Sequence, residues 1–375
     1  MKYCFLLNFT PHPRIIKRID LVRDYYDTFA IYWDKGEDNF DFKNDIKKIK
    51  ISVKANRNNP IKRIIPTFKF SSLAYEKLKE EKPDFIHLQS FDMLRIAYKY
   101  KKKVNPNCKI IYEVPDIHKY LTDDKKGFLE SIISSYIKSS EKKMLESVDI
   151  LILTSMKFWE HFEGKFDKNN MIFMPNIPNP ELFKDYEALR EENSNRKFTI
   201  GYIGGLRYLE ELKCLVSAIE DLDIRLLMAG FEDGDYFKKL AEEKDFIEYH
   251  GKFYYDDDIA RLYSNCDIIF SVYNSDMKNV RIALPNKLYE SIIARLPIIV
   301  STNTYLQELV EQWKVGFAVN HLSSEEMRKV VIRLMEDKEL YKEIQKNEEI
   351  AWKELNPARN NERLLNLIRE KENIW

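Results

Sequence analysis

Asn279-Val-Arg-Ile-Ala-Leu-Pro-Asn-Lys-Leu-Tyr-Glu-Ser-Ile-Ile-Ala-Arg-Leu-Pro-Ile-Ile-Val-Ser301 reads as a loop, a helix over about residues 285–294, a tight turn and a buried strand over 297–300. Pro285 suits the first helical turn, where a missing N–H costs nothing. Leu288, Ile292 and Ile293 give the helix an apolar stripe that faces a sheet. Its N-terminus offers amide donors and a partial positive charge, a ready place for a phosphate. Lys287 adds a cation, and the Glu290 carboxylate is placed to accept hydrogen bonds from a ribose diol. The same stretch also fits an ordinary α/β helix with solvated charges, so a second motif has to decide.

That motif is Gly201-Tyr-Ile-Gly-Gly-Leu-Arg207-Tyr-Leu-Glu-Glu-Leu-Lys213. A strand runs into a glycine pair and then a helix, which sets Gly204 and Gly205 at a strand's carboxyl end. Glycines there let the backbone approach a diphosphate closely. Arg207 can grip a phosphate with its planar fork and Lys213 can add a point charge. Cations at this spot would offset the charge of a bound diphosphate.

Pro285-Asn286-Lys287-x-x-Glu290 followed by Leu296-Pro297 and an apolar strand resembles the donor-binding segment of glycosyltransferase family 4. The Arg207 and Lys213 pair after Gly-Gly resembles that family's diphosphate-binding pair. The resemblance implies an α/β fold of two Rossmann-like, doubly wound domains facing across a cleft (GT-B). It further implies a retaining glycosyltransferase, with a UDP-sugar as the expected donor, that needs no bound metal or other cofactor. Asn286, Lys287 and the backbone about Leu284 are then donor-binding. His250-Gly251-Lys252-Phe253 corresponds to the turn that lines the nucleotide base, with Phe253 either stacking on the base or simply buried.

Two departures from the family stand out. Many relatives carry a glutamate eight residues before the ribose glutamate, where this chain has Ile282, and Ala283-Leu284-Pro285 replaces a glycine-rich turn. The form resembles the branch of capsular and surface-polysaccharide transferases, with sugar recognition left to backbone amides around residues 284–287. Relatives also carry a histidine where Pro115 stands in Glu113-Val114-Pro115-Asp116-Ile117-His118. Asp116 is expected either to act on the acceptor hydroxyl or sugar cation, or to cap a helix; His118 either substitutes for the missing histidine or lies on the surface.

In the first half, Phe9-Thr10-Pro11-His12-Pro13-Arg14 follows the first strand, at the end of the sheet where open α/β folds bind ligands. The resemblance places such a loop near donor phosphate or acceptor, with Thr10, Arg14 and Arg18 as contacts and His12 as a further possibility.

At 375 residues the chain calls for two domains. We expect residues 1–190 as an acceptor-binding domain, 191–355 as the nucleotide-sugar domain and 356–375 as a terminal helix returning to the first, with residues 175–197 as the linker. Strands are expected over 3–8, 28–33, 85–88, 109–114 and 150–154, then 198–203, 225–229, 247–250, 268–272, 298–301 and 316–319. Residues 127–147 form an amphipathic helix whose Phe128, Ile132, Ile133, Tyr136, Ile137 and Met144 should face the core. Asp267 is expected to orient a loop rather than react.

The 44% hydrophobic and 33% charged content fits a globular chain. No apolar run reaches the roughly 20 residues that span a bilayer. The four cysteines (Cys4, Cys108, Cys214, Cys266) show no metal-ligand spacing, which suggests a reducing cytoplasm. Residues 1–200 carry 37 Lys+Arg against 29 Asp+Glu, and the remainder 24 against 32. A basic first half suits an anionic partner such as the inner face of a membrane, and a glycan or lipid-linked acceptor, rather than nucleic acid. A nucleotide-sugar epimerase of the same architecture, or a silent subunit of a partner transferase, are the rival readings.

Overall fold

The computed structural model describes residues 1–36, 44–55, 62–117, 127–193, 195–231 and 234–372. The chain divides into two compact units: Met1–Pro175 with Ala358–Trp375, and Asn176–Pro357.

The first unit is a parallel sheet of β1 (Lys2–Leu7), β2 (Asp27–Asp34), β3 (Lys47–Ser52), β4 (Phe85–Gln89), β5 (Lys109–Val114), β6 (Ile150–Leu153) and β7 (Met171–Phe173). Their order is β3-β2-β1-β4-β5-β6-β7. Helices α1 (Pro13–Val22), α2 (Ile64–Glu81), α3 (Phe91–Lys103), α4 (Phe128–Leu145) and α5 (Trp159–Phe162) connect them. Strand order reverses between β1 and β4, and ligands of such sheets bind at that switch point, beyond the strands' carboxyl ends.

The second unit repeats the plan with β8 (Thr199–Ile203), β9 (Arg225–Ala229), β10 (Ile247–Gly251), β11 (Ile268–Ser271), β12 (Ile298–Ser301) and β13 (Gly316–Val319). The order is β10-β9-β8-β11-β12-β13, so its switch point lies between β8 and β11. Its helices are α6 (Tyr186–Glu192), α7 (Leu209–Ile219), α8 (Tyr236–Glu243), α9 (Tyr255–Ser264), α10 (Lys278–Ile282), α11 (Asn286–Ala294), α12 (Tyr305–Trp313), α13 (Ser324–Glu336) and α14 (Lys338–Leu355). At Asn356 the backbone turns left-handed (φ 33°) before Pro357, which stops α14. The last helix, α15 (Pro357–Glu372), buries Leu364, Leu367 and Ile368 with Tyr3, Phe5 and Ile19 of the first unit.

Several expectations need correction. The boundary falls at residue 175 rather than 190, because the supposed linker packs with the second unit. Ile177, Phe183 and Tyr186 enter its core, and Phe183 meets Tyr263 edge-on at 5.7 Å. Arg190 and Arg196 both pair with Asp267, which also accepts from the Thr199 amide at 2.8 Å. Asp267 therefore fixes the start of β8.

Strand β3 was not expected. Its Lys-Lys-Ile-Lys-Ile-Ser alternation is polar enough to read as loop, and it survives as an edge strand with one face wet. The stripe on α4 departs furthest: Ile132, Ile133 and Tyr136 are exposed and Ser134 and Glu141 are buried, while Met144 is buried as expected. Glu141 is held inside by His161 Nε2 at 2.6 Å, and that buried pair turns the helix the other way. His118 lies outside the described residues.

Candidate active site

The β8–α7 connection is the tightest piece of backbone in the second unit. Gly204 has φ +137°, a region closed to residues with a Cβ, and its N–H donates to the Ala229 carbonyl at 2.7 Å. Gly230, after β9, takes φ +149° and any Cβ on it would lie 1.7 Å from the Gly204 carbonyl oxygen. Two backbones thus touch where the strands end. The Tyr202 hydroxyl donates to the Gly205 carbonyl at 3.1 Å and holds the turn from below.

Two cations flank this turn. A Cβ on Gly205 would sit 3.2 Å from Arg207 Nε, and one on Gly204 3.5 Å from Lys287 Nζ. Arg207 is exposed and, with Tyr208, Glu210, Glu211, Asn274 and Met277, lines a cleft of about 650 Å³. Lys287 is 6% exposed. Its ammonium donates to the Tyr273 hydroxyl at 3.1 Å and stands over the rings of Tyr202 and Tyr273. Burial drags its pKa down to about 7, against an upward pull from Glu290. Lys287 reaches the turn because helix α11 starts beside it, at the β8/β11 switch point.

Pro285 is the N-cap of α11 rather than its first residue, and a short helix, α10, occupies what reads as loop. Ile282 closes α10, half-buried. Leu284 and Asn286 are half-buried, and Asn286 Oδ1 accepts from Asn176 Nδ2 at 2.7 Å. Glu290 is 3% exposed and accepts from Tyr255 at 2.6 Å and Tyr263 at 2.5 Å, one tyrosine on each oxygen.

Other residues singled out in the sequence have partners of their own. Lys213 pairs with Glu210 at 2.9 Å and lies over Tyr236, along the exposed side of α7. Lys252 is exposed over the Phe231 ring at 5.3 Å. Phe253 packs against the hydrophobic core, which favours its buried reading. Phe231, 52% exposed just past β9, is an uncovered aromatic that carried no signal in the sequence. Tyr202 and Tyr273 were missed too, because aromatics in or beside buried strands are usually plain core.

In the first unit, Thr10 is half-buried in the loop after β1, Asp116 is exposed beyond β5 and His12 stacks on Phe9 at 4.7 Å. Burial, reinforced by Arg14, pushes His12 down to about 4, so it is neutral near pH 7. Glu113 is fully buried and takes His87 Nε2 at 3.1 Å and Arg18 Nε at 3.4 Å on one oxygen. Burial alone would raise its carboxyl, but Arg18, His87 and Arg14 together hold it well below the usual range. The His87 Nδ1 contacts the Tyr3 hydroxyl at 3.0 Å. Among the described residues no group of three or more His, Cys, Asp or Glu side chains is placed to hold a metal ion.

Residues 185–350 match the family described as Glycosyl transferases group 1. The chain is 24% identical to the succinoglycan biosynthesis protein ExoL of Rhizobium meliloti (strain 1021), over 58% of this chain and 56% of that protein. The match thus spans little more than half of the relative's length. Among solved structures it is similar to Anabaena HepE in complex with UDP, with TM-score 0.71 and 15% identity across 99% of this chain and 100% of that one. It is also similar to sucrose-phosphate synthase from Thermosynechococcus elongatus, with TM-score 0.75 and 15% identity across 99% of each chain. At such identities the likeness carries the fold, two parallel Rossmann-like units of the GT-B kind. Residues 185–350 therefore match a glycosyltransferase group 1 domain, and the chain as a whole has the GT-B fold.

Proposed function

We propose that this protein is a retaining glycosyltransferase that moves a sugar from UDP to a glycan or lipid-linked acceptor in surface-polysaccharide or glycoconjugate synthesis. The observation that carries this reading is the placing of Arg207 and Lys287 on either side of the Gly204–Gly205 turn. A diphosphate bound there meets two cations and the amide donors that open α11, which together offset its charge without a metal. UDP as the nucleotide is supported by the UDP seen with the similar Anabaena protein.

In the reaction the bond between the sugar's anomeric carbon and the phosphate oxygen breaks, and its electron pair leaves with UDP. The acceptor oxygen bonds to that carbon from the same face and gives its proton to the departing phosphate oxygen. Arg207 and Lys287 stabilise the charge on that phosphate. Glu290 supports Lys287 electrostatically, and because a carboxylate oxygen accepts more than one hydrogen bond it can also take a ribose hydroxyl. Asp116 and the loop after β1 are assigned to the acceptor side.

A peripheral membrane site is part of the proposal. No helix among the described residues is long and apolar enough to cross a membrane. A groove of about 730 Å³ lies among α2, α3 and α4, lined by Ile64, Phe68 and Tyr136 with Arg63, Lys99 and Lys143. Ile65 beside it is 79% exposed. Apolar side chains ringed by cations match an anionic lipid surface.

Measuring thermal stability against UDP, GDP and their sugars tests the reading, since a donor bound only by the folded state raises the melting temperature. UDP and one UDP-sugar should stabilise. No response to any nucleotide, or an epimer formed from donor alone, would contradict it.

A further inference from the structure

Buried polar side-chain atoms are nearly always hydrogen-bonded, and leaving one unpaired destabilises the fold. Yet five that find no partner among the described residues come from the carboxyl end of the first sheet and the helix that covers it: Arg14 Nε, Arg18 Nη2, Gln89 Nε2, Ser90 Oγ and Glu113 Oε1. Gln89 is 2% exposed, Arg18 6% and Glu113 0%. Gln89 and Glu113 are register partners on β4 and β5, so their side chains leave the same face of the sheet. Arg14 and Arg18 are four residues apart on α1, which sets both on one side of that helix. The Arg18–Glu113 bridge joins the two sets. Four of the five atoms can donate. Glu113 Oε2 already takes two donors, His87 Nε2 and Arg18 Nε, with Tyr3 holding the far side of His87, so Oε1 is the oxygen left for a ligand.

The charge balance identifies the chemistry. His87 and His12 are held below their usual pKa by burial, so two guanidiniums face one buried carboxylate, with Asp116 outside near Arg14. One positive charge is left over within the buried set. Donors arriving from a helix, a strand end and a turn suit a tetrahedral oxyanion better than a planar carboxylate.

We propose that Arg14, Arg18, Gln89 and Ser90, at the β1/β4 switch point, bind a phosphate ester carried by the acceptor, with Glu113 Oε1 accepting a hydroxyl of the same molecule. Its residues all belong to the first unit, and those of the donor diphosphate site to the second. That the phosphate belongs to the acceptor rests on the glycosyl-transfer reading; the binding of phosphate does not.

The test uses the whole chain with inorganic phosphate and methyl phosphate as probes, followed by thermal shift, and UDP titrated in parallel. Methyl phosphate should stabilise wild type and Lys287→Met alike and saturably. Its affinity should fall at least tenfold in Gln89→Leu, a change that removes an unpaired amide and so should not unfold the protein, and equally in Arg14→Gln. UDP affinity should stay unchanged in Gln89→Leu. A methyl phosphate response lost in Lys287→Met and kept in Gln89→Leu would place it on the second unit and overturn the proposal. So would loss of UDP affinity in Gln89→Leu, which would make the donor the ligand, or no saturable response at all. UDP binding to wild type in any of these outcomes would leave the transferase reading standing.

Discussion

The ammonium of Lys287 lies 3.7 Å from the centre of the Tyr202 ring, and the hydroxyl of that same tyrosine holds the Gly205 carbonyl. One aromatic side chain thus fixes both the glycine turn and the cation beside it. A ring face attracts a cation but does not replace a counter-ion, so burial still holds Lys287 near a pKa of 7. An incoming diphosphate supplies what is missing.

This gives a pH dependence with a definite sign. An unfolded lysine titrates near 10.4, so between about pH 7 and 10 the unfolded chain holds the extra proton and stability rises with pH. A bound diphosphate favours the charged amine, so UDP binding takes up a proton at pH 8 and weakens by up to about tenfold per pH unit above 7. Calorimetry at pH 8 in buffers of different ionisation enthalpy measures that uptake; none would contradict the assignment. Lys287→Met should abolish it while raising the melting temperature of the ligand-free protein by a few degrees, about 1 kcal/mol.

Glu290 sits at the centre of a second dependency. Its two oxygens are fixed by Tyr255 and Tyr263. Tyr263→Phe removes one of those donors inside the core and should cost about 1–3 kcal/mol of stability. Glu290→Ala should cut turnover by orders of magnitude, because it removes both the ribose acceptor and the support of Lys287. Initial rates for Glu290→Ala close to wild type would show that the carboxylate only props the tyrosines.

On the first unit, Ile65→Glu with Phe68→Glu should release the protein from vesicles containing anionic lipid. Sedimentation across salt concentrations reads the effect: wild-type binding falls as salt rises, and the double variant stays in the supernatant at every concentration. Equal sedimentation of the two would remove α2 from the membrane proposal.

Glu348, fully buried in α14, has neither carboxylate oxygen hydrogen-bonded, and burial raises its pKa well above normal. Its folded-state value lies above the unfolded one, so stability fully present below about pH 4.3 is lost as pH rises towards that raised value. Glu348→Gln should therefore be more stable than wild type at pH 7 by about 1–2 kcal/mol and equal to it near pH 4. Melting curves at the two pH values check it.

How far the sequence reached follows from how each element is buried. The six strands of the second unit lie in a sheet covered on both sides, so β8, β9, β11 and β12 read as short apolar runs with little ambiguity. Edge strand β3 alternates lysine with isoleucine and looked like loop. On α4 the apolar residues do recur at helical spacing, but periodicity cannot say which side meets the core, and the buried Glu141–His161 pair decided otherwise. Gly204, Arg207 and Lys287 were visible because strand, glycine pair and helix start come in a fixed order. Tyr202 and Tyr273, which position them, were not, since nothing local separates an aromatic that braces a turn from one that fills a core. Lys213 pairs with Glu210 one turn back on the same helix, a contact that its spacing after the glycine pair does not reveal.

The most direct test of the central claim is calorimetric titration of UDP into wild type, Arg207→Ala and Lys287→Met at pH 7. If the two cations grip one diphosphate at the Gly204–Gly205 turn, each substitution weakens UDP binding by about thirtyfold or more, some 2 kcal/mol. Wild-type affinity in both variants would contradict it.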